Sequence, residues 1–241
     1  MQSDRTDVLG VGFDNITMEE AVAAAERAIE SRSGGYVVTP NPEIVWAARK
    51  DPSYAALLNG ASLVLPDGIG IVYGARILGT PLKEKVPGIE FASALIARLA
   101  EKGGSLFLFG AKPGVAEKAA ENLCRQYPGI VIAGCEDGYH TDDPGVLAHI
   151  NGAAPDLLLV CLGAPKQERW MAESGANAGL MAGLGGSLDV FAGIVKRAPE
   201  AWCRLGLEWL YRLLSDPRRI GRMMKLPLFL LTVIGQRIRG R

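Results

Sequence analysis

In VLPDGIG, residues 64–70, an apolar run ends at a lone carboxylate, Asp67, and gives way to glycine. Ser62-Leu63-Val64-Leu65 reads as a short buried strand. A bend at Pro66-Asp67-Gly68 would present a side chain at its carboxyl end, the edge where open α/β sheets bind ligands. An ordinary aspartate, with a pKa of about 4, is charged at neutral pH and can accept a proton from an attacking hydroxyl. The same residue can instead anchor a hydroxyl or cap the next helix. Lys85, or an arginine of the basic carboxyl-terminal segment, could offset charge on a departing diphosphate.

Three further strand ends repeat the pattern. Tyr36-Val37-Val38 leads into Thr39-Pro40-Asn41-Pro42, LLLVCLG leads into Ala164-Pro165-Lys166-Gln167-Glu168, and GLMAGLGG leads into Ser187-Leu188-Asp189. If these strands are neighbours, their polar groups meet above one sheet edge. Thr39, Asn41 and Ser187 equally suit the ends of helices as caps. Gly10-Val11-Gly12, Gly183-Leu184-Gly185-Gly186 and Phe109-Gly110-Ala111-Lys112-Pro113-Gly114 could each bring backbone close to an anion. None completes a dinucleotide fingerprint or a Walker loop. The turn holding Gly110 and Lys112 suits a nucleotide diphosphate, and that holding Gly185 and Gly186 is a second possibility. Ordinary βα turn chemistry explains both as well.

Such side chains need an α/β frame, and the chain supplies its pattern. Expected strands are Val8-Gly12, Tyr36-Thr39, Leu63-Leu65, Ser105-Phe109, Ile130-Ala133, Asp156-Leu162 and Leu180-Leu184, separated by helical periodicities such as Val22, Ala25, Ile29 and Phe91, Leu95, Leu99. Helical connections imply right-handed crossovers and a largely parallel sheet, and near-continuous apolar strands imply that both faces are covered. Thr17 with Glu20 has capping-box spacing, and Thr141-Asp142-Asp143-Pro144 offers a second helix start. The expected class is therefore α/β, a Rossmann-like, largely parallel sheet with flanking helices. The rhythm stops near residue 196, dividing the chain into a catalytic domain, 1–195, and a helical basic appendage, 196–241.

The 26 basic and 26 acidic residues balance over the 241, giving no reason to expect a nucleic-acid partner. From Arg204 to Arg241, however, the net charge is +7, so residues 1–203 carry −7. The helix EAWCRLGLEWLYRLL sets Trp202, Leu205, Trp209, Leu210 and Leu213 on an apolar face. Beyond it, Arg218, Arg222 and Lys225 share helical spacing, Pro227 should break or kink the element, and Leu228 to Ile234 run apolar. This segment is too short to span a bilayer. It could lie on an anionic membrane surface, or pack on its own domain or a sister subunit. No run of 18 apolar residues occurs, and MQSDRTDVLG lacks the features of a secretory signal. Two histidines exclude a histidine-rich metal site, and four dispersed cysteines suggest neither a zinc knuckle nor a disulfide framework.

In their order, TPNPEIVWAARKDP (39–52), LVLPDGIGIVYGARILG (63–79), VPGIEF (86–91), LFLFGAKPG (106–114), LGAPKQERWM (162–171), GLGGSLDVFAG (183–193) and RAPEAWCRLGLEWLYRLLSDPRR (197–219) resemble the WecG/TagA/CpsF family of bacterial glycosyltransferases. The resemblance implies transfer of N-acetylmannosamine from UDP-N-acetylmannosamine to undecaprenyl-diphosphate-linked N-acetylglucosamine, with inversion to a β-linkage, in wall teichoic acid synthesis. It implies no cofactor and no required divalent metal. The family's base falls on Asp67, its pocket residues on Thr39, Asn41 and Gln167, and its basic appendage on Arg212, Arg218, Arg219 and Arg222. Where the family carries Arg before its V-x-G turn, this chain has Lys85, which keeps the charge and loses the two-pronged grip. The resemblance further implies a cytoplasmic enzyme resting on the inner face of the plasma membrane, with oligomers possible in solution. The alternatives are a transferase using another UDP-sugar, a UDP-sugar-binding module without catalysis, and an RNA-binding protein.

Overall fold

The computed structural model describes residues 5–196, 198, 199, 202, 208–215 and 225–240. A hairpin opens the chain: β1 (Arg5–Val8) and β2 (Val11–Asp14) pair antiparallel across Leu9 and Gly10, both at positive φ. The single strand expected over Val8-Gly12 is therefore two half-strands and a turn. Two successive positive-φ residues turn the chain back with the twist a hairpin needs. This also removes Gly10-Val11-Gly12 as an anion turn, because Gly12 N–H donates to Asn59 Oδ1 (2.8 Å).

Next come α1 (Met18–Glu30), β3 (Tyr36–Val38), α2 (Pro42–Ala48), α3 (Pro52–Asn59), β4 (Leu63–Val64), α4 (Ile69–Leu78), α5 (Gly88–Glu101), β5 (Ser105–Gly110) and α6 (Val115–Gln126). They are followed by β6 (Val131–Glu136), α7 (Pro144–Ala153), β7 (Leu157–Cys161), α8 (Lys166–Glu173), β8 (Leu180–Gly183) and α9 (Ser187–Phe191). Two helices of the carboxyl-terminal segment are described, α10 (Glu208–Ser215) and α11 (Lys225–Arg239). The expected caps form. Thr17 and Glu20 close a full capping box on α1, and Asp143 caps α7 with Pro144 in its first turn.

Six strands form one all-parallel sheet in the order β4-β3-β8-β7-β5-β6. Side chains alternate between its faces. Val37, Leu106, Leu108, Leu157, Leu159, Leu180 and Ala182 pack with α1, α5, α6 and α9. Val38, Val64, Phe107, Phe109, Leu158, Val160 and Met181 pack with helices of the opposite layer, among them α2, α3, α4 and α8. A sheet buried on both sides explains why the strands read as continuous apolar runs.

The edge strand β4 is short, and the hairpin covers it. Buried Asp14 accepts a hydrogen bond from Val64 N–H (2.6 Å) and pairs with Arg5, which donates to the carbonyls of Asn59 and Ala61. Covering an edge in this way removes a free pairing surface.

α11 returns onto the sheet layer against α2 and α4, burying Phe229 and Val233. Pro227 falls in its first turn, where the missing N–H costs no helical bond. The sequence reading expected this proline to break or kink a longer helix; residues 216–224 lie outside the described ones. The opposite stripe, Leu228, Leu231, Ile234 and Ile238, is exposed. Packing on its own domain thus accounts for one face of the apolar run only. Among the described residues no helix is long and apolar enough to cross a membrane.

Candidate active site

Asp67 stands where β4 ends. Leu65 N–H extends the ladder by donating to Val38 O (2.9 Å), and Asp67 N–H donates to Pro40 O (3.3 Å). The loop after α4 closes from the other side, with Val86 N–H donating to Pro66 O (2.9 Å). The N-cap of α4 is Gly68, at φ +91°, so the cap position weighed for Asp67 is held by a residue without a side chain. Left-handed backbone here suits glycine and turns the chain sharply enough to leave Asp67 half-buried at the strand end.

Thr39 and Asn41 follow β3, the neighbour of β4. Thr39 Oγ1 donates to Gly183 O (3.3 Å), tying the end of β3 to the end of β8. Asn41 Oδ1 accepts from Ile44 N–H (3.0 Å) and caps α2, so the capping role is realised. That cap uses the carbonyl oxygen, and the amide NH2 makes no hydrogen bond among the described residues. Gly88, opening α5, lies against this turn. A Cβ there would stand 3.0 Å from Thr39 Oγ1 and 3.1 Å from Leu184, so glycine permits the close approach.

Gln167 comes from the first turn of α8, after β7, and is buried. Its Oε1 accepts from Gly185 N–H (2.8 Å), and its Nε2 donates to Glu168 Oε1 (2.8 Å). The Gly185 donor is therefore already engaged, whereas no bond from Gly186 N–H is recorded among the described residues. Gly183 makes the arrangement possible, since a Cβ there would lie 2.6 Å from Met171 and 3.1 Å from Gln167 Nε2.

Asp67 thus follows β4, Thr39 and Asn41 follow β3, and Gln167 follows β7, with the end of β8 between β3 and β7 linking them through Gly183 and Gly185. Lys85 directly precedes Val86, whose N–H donates to Pro66 O beside Asp67. Gly110 and Lys112 stand apart at the end of β5, four strand steps from Asp67, or about 19 Å at the usual spacing. Their turn borders a crevice, because α6 after β5 and α8 after β7 cover opposite faces. Gly110 is obligatory there: at φ +128°, a Cβ would meet Cys161 O at 2.4 Å. Lys112 is exposed. Arg212 lies in α10, and Arg218, Arg219 and Arg222 lie outside the described residues.

α11 abuts this edge. Leu226 reaches the first turns of α2 and α4, where a Cβ on Gly70 would lie 2.7 Å from both Leu226 and Pro42. Lys225 pairs with Glu43 of α2 (3.0 Å). The carboxyl-terminal segment is thus fastened next to Asn41 and Asp67.

Glu168 escaped the sequence reading. Its spacing carried a signal: Gln167, Glu168 and Met171 share the buried face of α8. Burial pushes its carboxyl above the ordinary carboxylate range. Of the cysteines among the described residues, Cys124 is exposed, Cys135 half-buried and Cys161 buried, and burial pushes the Cys161 thiol up to about 12; Cys203 lies outside the described residues. Among the described residues no group of three or more His, Cys, Asp or Glu could hold a metal ion.

A parallel α/β sheet with a carboxylate and amides at its carboxyl edge serves many chemistries, and the match over residues 6–241 identifies this one. The chain belongs to the Glycosyl transferase WecG/TagA/CpsF family and is a glycosyltransferase. It is 38% identical over 208 residues to the N-acetylglucosaminyldiphosphoundecaprenol N-acetyl-beta-D-mannosaminyltransferase of Bacillus spizizenii, covering 86% of this chain and 81% of that one. The protein of the same name from Staphylococcus aureus strain MW2 is 38% identical over 230 residues, 94% of this chain and 91% of that one.

Proposed function

We propose that the protein is an inverting transferase that moves N-acetylmannosamine from UDP-N-acetylmannosamine onto undecaprenyl-diphosphate-linked N-acetylglucosamine, forming the β-linkage used in wall teichoic acid synthesis. The observation that carries this reading is the gathering of Asp67, Thr39, Asn41 and Gln167 at the ends of β4, β3 and β7 along one sheet edge, in a chain 38% identical to enzymes named for that transfer.

Asp67 takes the proton of the acceptor hydroxyl as its oxygen bonds to the anomeric carbon. The bond from that carbon to the UDP oxygen breaks on the opposite face, and the electron pair leaves with the diphosphate. This single displacement inverts the anomeric centre. Thr39, Asn41 and Gln167 position sugar and acceptor groups. Lys85 and the basic residues Arg212, Arg218, Arg219 and Arg222 balance charge on the leaving UDP. The turn at Gly110 and Lys112 offers the nucleotide a crevice, with Gly186 at the nearer edge. The exposed stripe of α11 and the basic segment before it rest on the anionic inner face of the plasma membrane, where the lipid acceptor resides.

The test is incubation of pure protein with UDP-N-acetylmannosamine and a lipid-diphosphate-N-acetylglucosamine analogue. A β-linked disaccharide identified by mass and glycosidase sensitivity is expected. UDP release with another sugar donor only, or none with any, would reject the reading.

A further inference from the structure

Glu168 is the most deeply buried acidic side chain recorded for the described residues, at 1% exposure, and it touches a site residue rather than a cation. Its Oε1 accepts from Gln167 Nε2 (2.8 Å). On the far side of the amide, Gly185 N–H can only donate, so Gln167 must turn Oε1 toward it and Nε2 toward the carboxyl group. Both ends of the amide are thereby fixed. Glu168 Oε2 and Tyr54 Oη, from α3, are buried, and neither meets a partner at full hydrogen-bond geometry. The two groups still lie close enough for each to shift the other's ionisation, and burial first, then the nearby Glu168, pushes the Tyr36 hydroxyl upward.

We propose that Glu168 is a positioning residue for transfer: it locks the Gln167 amide in the orientation that holds Gly185 N–H, and so sets the β8–α9 turn at the site edge. The inference rests on the reading that Gln167 serves the transfer site. The group Glu168 supplies is an acceptor oxygen, which a neutral carboxyl or an amide provides as well as a carboxylate. Burial, which favours the neutral form, is therefore compatible with the role.

The test compares Glu168→Gln, which keeps the acceptor oxygen, with Glu168→Ala, which removes it. Should Glu168→Ala fail to fold, Glu168→Met fills the space without an oxygen and takes its place. In the nitrogen-15 NMR spectrum, the Gln167 side-chain amide, assigned by its loss in Gln167→Ala, should exchange slowly in the wild type and in Glu168→Gln. It should revert to free-amide shift and exchange in the variant lacking the oxygen. Turnover should fall at least tenfold in that variant, with donor KM within threefold, and should stay within threefold of wild type in Glu168→Gln. Adding the same change to Gln167→Ala should cost no further turnover. Wild-type turnover without the oxygen, an equal loss in Glu168→Gln, or a fully additive double variant would each overturn the inference. The amide spectrum stands without any assay: a wild type that transfers no sugar rejects the functional reading, whereas an unchanged Gln167 signal in the oxygen-free variant rejects this one.

Discussion

Asp67 carries the chemical argument at the residue scale. Asp67→Asn keeps the shape of the turn and removes the proposed base. Donor binding and melting temperature should therefore hold while turnover drops by about 100-fold or more, as for loss of a general base. Single replacement of Arg218 or Arg222 by Ala should reduce turnover about tenfold or more if they stabilise the leaving diphosphate. Unchanged rates by UDP-release kinetics would remove them from the mechanism.

Glu168 makes a separate claim about stability and pH. Its folded pKa lies above the unfolded reference of 4.5, chiefly through burial, so the folded protein binds the extra proton between those two values. Stability contributed by this group is unimpaired below pH 4.5 and declines as pH rises toward the folded value. Glu168→Gln should flatten that decline in urea unfolding series run from pH 5 to pH 8. A slope equal to wild type would show that the buried group does not titrate as argued. Tyr36 and Tyr54, the titratable neighbours, are both pushed upward and do not ionise in that range.

Residue types and turn context drew attention to Asp67, Thr39 and Asn41 without any coordinates, because they stand at the ends of apolar runs, whereas Gln167 was set apart from Lys166 and Glu168 only by the family resemblance. Glu168 shares that strand-end turn, but nothing in Lys166-Gln167-Glu168-Arg169 distinguishes it from its charged neighbours. Only the packing of α3 against α8 places it inside.

At the scale of elements, α4 and α11 form a contact that depends on small residues. Gly70 and Gly74 share one face of α4, and a Cβ at either would press on Leu226 or on the Phe229 ring (3.2 Å). At the far end, Arg237 donates to Leu78 O (2.8 Å), satisfying a carbonyl of the last turn of α4. Gly74→Leu should loosen this docking by about 1–3 kcal/mol, the usual cost of overpacking. Faster proteolytic removal of the carboxyl-terminal helix would report it. Gly235→Leu, where a Cβ meets nothing within 4 Å, should leave proteolysis unchanged. Equal protection of Gly74→Leu and wild type would mean that the glycines are not what seats α11.

Helix and strand identities were legible locally because period and caps are local properties, as the Thr17–Glu20 box and the Val22, Ala25, Ile29 stripe demonstrate. The hairpin was not, since VLGVG has the same apolar content whether it runs straight or folds at Leu9-Gly10.

For the whole molecule, charge and exposed apolar surface lie in the same carboxyl-terminal segment, which carries +7 from Arg204 onward. If that segment meets an anionic bilayer, the protein should sediment with vesicles containing phosphatidylglycerol and be released by high salt. Leu231→Glu with Ile238→Glu, both on the exposed stripe of α11, should weaken binding at least tenfold while leaving the melting temperature near wild type. Retained binding would assign the contact to the basic residues alone.

Composition and periodicity by themselves determined a parallel α/β sheet buried on both faces, a basic carboxyl-terminal segment, and a short register of polar residues at strand ends. Those features follow from local physics: apolar runs bury, caps stop helices, and turns follow glycine and proline. Strand order could come only from the tertiary structure, because it depends on which non-local pairings bury the most surface. That order puts the ends of β4, β3, β8 and β7 side by side, sets Gly110 four strands away, turns Glu168 inward onto Gln167, and divides the apolar stretch of α11 into a docked face and an open one.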